Sequence, residues 1–268
     1  MHLHSALTLS SGDRVSIPLL TELVPQGIRP GTIFLVEFDP DSQWFSLATT
    51  MAARFLQANG QVAYLAQARA PEDVKRDLTA LGVDVTSAQK EGRLDVSDQY
   101  SATLTGGRLE PAGAQTGFVE KIQGGVRFRS LKVADLSVEM LKASKEEYTG
   151  ALDRLGSSPV YLDIIESASE MLRFNEEKPY VEWVASRVTP RQRLRKGATL
   201  HGYVRNLHSE WFYKRMETIS DGVIDVNVRE QEGESKSFLR LRSLRGQPYD
   251  GHWHRIDVQP DGGATLAT

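Results

Sequence analysis

The residues of this chain best placed to do chemistry lie between Gly31 and Phe45, in the string Gly-Thr-Ile-Phe-Leu-Val-Glu-Phe-Asp-Pro-Asp-Ser-Gln-Trp-Phe. An apolar run from Thr32 to Glu37 leads into a short polar loop and then an amphipathic segment from Ser46 to Ala58. That is the strand, loop and helix order of a phosphate-binding turn. Such a turn works through GxxxxGK[ST]: glycines let backbone N–H groups face the phosphates, the lysine meets the β and γ oxygens, and the hydroxyl holds Mg²⁺. Those positions read Phe38, Gln43, Trp44 and Phe45, with Asp39 and Asp41 inside the loop. The frame is that of a nucleotide site without the residues that do its work. Trp44 and Phe45 either fill the vacated space or form an aromatic platform for a base or a partner residue.

Three further groups invite a chemical reading. Glu166, with Ser167 and Glu170, is either a cation site or a strand-end carboxylate paired with Arg205 or another local cation. Among His201, His208, His252 and His254, only the last two share an i,i+2 spacing that a metal could use, and surface or hydrogen-bonded histidines account for them as well. Arg187, Arg191, Arg193, Arg195 and Lys196 cluster before Gly197, as a nucleic-acid backbone contact or as cations at a helix carboxy terminus.

Composition narrows these options. With 268 residues, 40% hydrophobic and 25% charged, the chain is sized for one large soluble domain over residues 1–268. Zero cysteine excludes disulfides, thiol catalysis and thiolate metal sites, and it fits a reducing cytosol. No apolar run approaches the ~18–20 residues of a membrane span, and Met1-His-Leu-His-Ser lacks a signal-peptide pattern. The expectation is a cytoplasmic protein without membrane contact. A net charge of −3 supplies no global attraction to nucleic acid, so nucleic acid is an open but disfavoured partner.

The elements that position the loop alternate. Gln61–Ala66 reads as a strand, Pro71 opens a helix to about Leu81 with Glu72 and Asp73 in its first turn, and Gly92–Ser97 is a third strand. Thr103–Lys132, punctuated by glycine and Pro111, reads as an inserted loop or hairpin, with an exposed strand from Gly125. A helix over Ser137–Leu155, a strand over Ser158–Ile165, a helix over Pro179–Arg195 and a strand over Ala198–Val204 follow. The runs Gly222–Arg229, Ser237–Ser243 and Trp253–Val258 suggest an antiparallel extension. The fold class is α/β, a mainly parallel sheet covered by helices on both faces.

Several strings in this order resemble the KaiC-like group of RecA-like ATPases: Gly27-Ile-Arg-Pro-Gly31 before the first strand, Tyr64-Leu-Ala-Gln-Ala-Arg-Ala-Pro-Glu-Asp73, Ala80–Asp84, Glu91-Gly-Arg93, Ser220–Asp225 and Leu241–Gly246. The resemblance covers nearly the whole chain and implies a RecA-like fold. It also implies where an active site would lie. The family's water-activating carboxylate pair falls on Ala68 and Arg69, and its Mg²⁺-supporting aspartate on Glu166. Ala68 and Arg69 accept no proton at neutral pH.

The resemblance therefore implies a pseudo-ATPase with no cofactor and no catalytic residues, a regulatory or scaffolding subunit in a homo-oligomer or beside an active KaiC-like paralogue. Arg240, Arg242 and Arg245 match the basic string that reaches a neighbouring subunit's nucleotide, and here they are expected to meet Asp39 and Asp41 of a neighbour. An accessory factor of the recombinase-paralogue kind that binds nucleic acid, and a noncanonical nucleotide or ligand sensor, are the alternatives.

Overall fold

Seven consecutive buried residues, Thr32–Phe38, form β1, and their unbroken burial, which takes in Thr32 and Glu37 beside five apolar side chains, follows from a place in the sheet centre where both faces are covered. The structure, a computed structural model, describes residues 14–98, 100, 120–122, 125–127, 160–173, 175–194 and 196–267. The main sheet has nine strands in the order β11-β10-β9-β8-β1-β7-β6-β2-β3. Here β2 is Gln61–Ala66, β3 Leu94–Asp98, β6 Tyr161–Ile165, β7 Gly197–Val204, β8 Gly222–Gln231, β9 Glu234–Leu244, β10 His254–Val258 and β11 Ala264–Ala267. A separate hairpin, β4 (Glu120–Ile122) with β5 (Gly125–Arg127), lies within the 103–132 segment. The rest of that segment, the expected helix over 137–155, and Arg195 fall outside the described residues.

From β3 to β8 every pairing is parallel, and from β8 onward every pairing is antiparallel. The expectation for Gly222–Arg229 is corrected here. β8 runs parallel to β1, with Phe34 opposite Gly222, and the antiparallel extension begins only at β9. The intervening helix Glu210–Ile219 returns the chain to the starting edge, as a parallel connection requires.

On one face, among the described residues, the short α1 (Leu20–Leu23) buries Leu20 and Leu23, α2 (Trp44–Gln57) buries Leu47, Met51 and Phe55, α3 (Pro71–Ala80) buries Val74 and Leu78, and a short helix follows at Val85–Lys90. They share a core with Phe34, Val36 and Phe38 of β1. The opposite face, with Leu35, Tyr203 and Val223, packs on Tyr180, Val184, Phe212 and Met216. The helix expected over Pro179–Arg195 is three pieces: Glu177–Trp183, a π-helical turn Val184–Val188, and Thr189–Arg193. Pro190 has no N–H for the preceding turn, and the ladder widens just before it, with Thr189 N donating to Val184 O.

Candidate functional site

The degenerate turn sits where β1 ends. α2 begins at Trp44, two residues earlier than its amphipathic pattern suggests, so both aromatic residues lie in its first turn. The Trp44 side chain is fully buried, stacks on Phe38 with ring centroids 5.9 Å apart, and donates its indole N–H to the Glu166 carbonyl at 2.7 Å. That bond removes the cost of burying the polar end of tryptophan. Phe45 meets Phe38 edge-on at 5.7 Å and carries the Arg69 guanidinium over its ring at 4.9 Å.

Gly202 makes room for this arrangement. A Cβ there would stand 2.4 Å from the Glu166 carbonyl oxygen and 3.0 Å from the indole nitrogen. A glycine inside an apolar strand marks such a close approach, and this was the signal available in the sequence for the missed residue.

Three of the loop amides are occupied by protein acceptors. Asp39 N donates to Val226 O at 2.9 Å, Ser42 N to Asp39 O at 3.0 Å, and Gln43 N to Ser237 Oγ at 3.1 Å. Phe38, in place of the first glycine, is buried rather than giving backbone access to a ligand.

Glu166 is the second centre of the site. Its carboxylate is wholly buried; Oε1 accepts from the backbone N–H groups of Gln67, Ala68 and Arg69 at 2.9, 3.0 and 3.1 Å. Oε2 accepts from the Tyr64 hydroxyl at 2.9 Å and from Arg69 Nε at 3.3 Å. Five donors on two oxygens saturate it. Of the expected partners, Arg205 or another local cation, it is the other cation that pairs: Arg69 meets Glu166 because the strand-end turn after β2 aims its amides and guanidinium at the end of β6. Arg69 also reaches Asp77 at 2.8 Å and the Tyr64 hydroxyl at 3.0 Å. Burial, and then the nearby Glu166 charge, push the Tyr64 hydroxyl well above its usual range, so it stays a donor. Burial alone would lower the Arg69 pKa, but Tyr64, Glu166 and Asp77 outweigh it and raise it. Ala68 and Arg69 contribute amides and a cation where the resemblance puts two carboxylates.

The arginines expected at a subunit boundary are largely engaged within the chain. Arg240 holds the buried Asp225 at 2.8 Å, and Arg242 holds Glu37 at 2.5 Å and Glu217 at 2.7 Å. Arg205 bridges Asp225 and Asp39 at 3.2 and 3.3 Å, and Asp39 also accepts from Val228 N at 2.8 Å. Buried carboxylates on β1 and β8 need these cations, and burial raises the Glu37 pKa against the opposing effect of Arg242. Of the expected interface set, Asp41 is exposed, and Arg245 donates to the Glu217 carbonyl at 3.1 Å.

The histidines and Arg193 have partners within the chain. His201 is buried against Gln192 at 3.1 Å, and burial pushes its pKa down to about 4. His208 contacts Ser169 at 2.8 Å, while His252 and His254 both meet Asp250. Arg193 pairs with Asp221 at 3.1 Å and donates to the Ile219 carbonyl at 3.3 Å. Among the described residues no group of three or more His, Cys, Asp or Glu is arranged to hold a metal, and no helix is long and apolar enough to cross a membrane.

Neither a family model nor a curated relative matches the sequence. Among solved structures, a KaiC-like protein from the hyperthermophilic archaeon Pyrococcus horikoshii OT3 superposes with a TM-score of 0.61 at 17% identity. The match covers 95% of this chain and 99% of that one. With its parallel core and antiparallel carboxy-terminal strands, the chain shares the fold of that KaiC-like protein.

Proposed function

We propose that this chain is a pseudo-ATPase: a KaiC-like domain that turns over no nucleotide and acts as a regulatory or scaffolding subunit, with copies of itself or with an active paralogue. The observation that carries the reading is Trp44, seated in the core at the P-loop lysine position and hydrogen-bonded to Glu166. Phosphoryl transfer depends on positioning and on neutralising charge, through the lysine, the Mg²⁺-binding hydroxyl and a base. In this chain those roles fall to an indole, a phenyl ring, a methyl group and a guanidinium. Glu166, at the Mg²⁺-supporting position, already neutralises Arg69. Purified protein with MgATP is expected to release phosphate no faster than buffer. A rate above ~0.01 per second that follows the protein through purification would overturn the reading, since that is the scale of slow intrinsic NTPases.

The assembly half is narrower than the sequence suggested. Asp41 and Arg245 are the exposed members of the expected interface set that form no ion pair among the described residues, and they are the pair proposed to meet between subunits. Light scattering tests it. A monomer at every protein concentration, or an oligomer unchanged by Asp41→Ala with Arg245→Ala, would remove that half.

A further inference from the structure

Among the asparagines of this chain, Asn59, Asn175, Asn206 and Asn227, only Asn59 is followed by glycine. The pair closes the carboxy-terminal end of α2. Asn59 N donates to Leu56 O at 3.0 Å and Gly60 N donates to Phe55 O at 2.9 Å, the two bonds that end a helix in a Schellman motif. That motif needs a left-handed residue, and Asn59 supplies it with φ 63°. Its side chain is left over. Asn59 is exposed, and its carboxamide has no hydrogen-bond partner among the described residues.

The residue that follows decides what this carboxamide can do. A side chain on residue 60 would crowd the approach of the backbone nitrogen to Asn59 Cγ, and glycine has none. Attack by the Gly60 nitrogen forms an N–Cγ bond, its amide proton passing to water. The Cγ–Nδ2 bond then breaks, and the side-chain nitrogen takes a proton from water and leaves as ammonia. Water opens the resulting succinimide at either carbonyl, giving aspartate or isoaspartate, with no oxidant or reductant required. The closed turn opposes the first step. The bond to Phe55 O occupies the Gly60 N–H and fixes its peptide plane, and Gly60 has no room to shift, since a Cβ there would stand 2.3 Å from the Phe55 ring. The nitrogen turns onto Cγ only when the last turn of α2 opens.

We infer that Asn59 is a site of spontaneous deamidation in this protein, gated by opening of the carboxy-terminal end of α2. The place makes the products unequal. Isoaspartate routes the main chain through Cβ and Cγ and lengthens it by a methylene, where only residues 58–60 separate Gln57 of α2 from Gln61 of β2. The added length displaces either the Gly60 bond to Phe55 or the bond that starts the strand, Gln61 N to Val160 O at 3.0 Å. Aspartate keeps the chain length and only adds a negative charge at the helix carboxy terminus, where it is mildly unfavourable. The inference does not depend on the inactivity of the nucleotide site.

The test is peptide mapping by mass spectrometry of the full chain aged at mildly alkaline pH, folded and in urea, with electron-transfer fragmentation to separate aspartate from isoaspartate. In the folded protein Asn59 should convert ahead of the other asparagines. It should do so at least about tenfold more slowly than in urea, the factor that a local opening free energy of about 1.4 kcal/mol imposes. Asn59→Gly, which keeps the left-handed turn, should leave that peptide unmodified. The isoaspartate fraction, isolated by ion exchange, should melt below both the wild type and Asn59→Asp. Conversion no faster than at Asn206, which is also left-handed with φ 61° but precedes Leu207, would overturn the site. Equal rates folded and in urea would overturn the gate, and an isoaspartate fraction that melts with the wild type would overturn the structural consequence.

Discussion

Restoring the P-loop residues should damage this protein rather than revive it. The double substitution Trp44→Lys with Phe45→Thr puts back the lysine and the hydroxyl at their motif positions. Trp44 is fully buried, and truncating a buried tryptophan or phenylalanine costs about 3–5 kcal/mol. The lysine stem recovers part of that burial. Its ammonium would then face the Phe38 ring and the Glu166 carbonyl, while the Glu166 carboxylate is already saturated by five donors. A buried charge without a full partner adds several kcal/mol. Removing the Phe45 ring from under Arg69 forfeits about 0.5–1 kcal/mol more. The sum is on the order of 5 kcal/mol or above, comparable with the whole stability of many domains, and corresponds to a melting temperature lower by roughly 10–20 °C. Urea unfolding followed by far-ultraviolet circular dichroism measures the loss, and calorimetric titration with MgATP measures any gain. Trp44→Phe, which keeps most of the volume and orphans only the Glu166 carbonyl, should cost about 1–3 kcal/mol. If the double variant bound MgATP with an unchanged melting temperature, the packed-site reasoning would be refuted.

Gly202→Ala should destabilise far beyond an ordinary strand substitution, because its Cβ would stand 2.4 Å from the Glu166 carbonyl oxygen and press on the indole; an unchanged denaturation midpoint would show that the two strands part freely. Glu166→Leu should cost about 3–5 kcal/mol through the orphaned Arg69, Tyr64 and strand-end amides, with Glu166→Gln intermediate, as read by the same unfolding curves. Acidification should weaken the fold through His201. Its imidazole protonates near 6.5 in the unfolded chain and only at about 4 in the folded one, so the unfolded state binds more protons between those values. The contribution is complete above 6.5, declines by about 3 kcal/mol as pH falls to about 4, and levels off below. Unfolding measured from pH 7.5 to 4 should show that slope, and His201→Gln should flatten it.

Period and punctuation made most of the fold readable, while the partners of its charges were not. β2 falls at its expected residues because a β-branched and aromatic alternation is bounded by Gly60 and Pro71, and the start of α3 follows from Pro71 at its first position. Glu210–Ile219 went unseen although Ser209 caps it through Phe212 N and Phe212 and Met216 supply the buried i,i+4 stripe; one turn of apolar spacing is a weak signal beside exposed Trp211 and Lys214. β8 alternates in the same way whether its neighbour is parallel or antiparallel, since side-chain period does not encode strand direction. The degenerate turn was legible because its test is the presence of particular residue types at fixed spacing. What replaced its chemistry was not, because Trp44, Gly202, Tyr64, Arg69 and Glu166 come from a helix start and the carboxy-terminal parts of three strands, β2, β6 and β7, far apart in the chain. The same distance explains the misassigned arginines. Local sequence shows that Arg240 and Arg242 are cations on alternate positions, but only the crossover that lays β8 between β1 and β9 brings Glu37 and Asp225 beneath them. Once those two carboxylates are buried within the chain, the cations that cover them are held there.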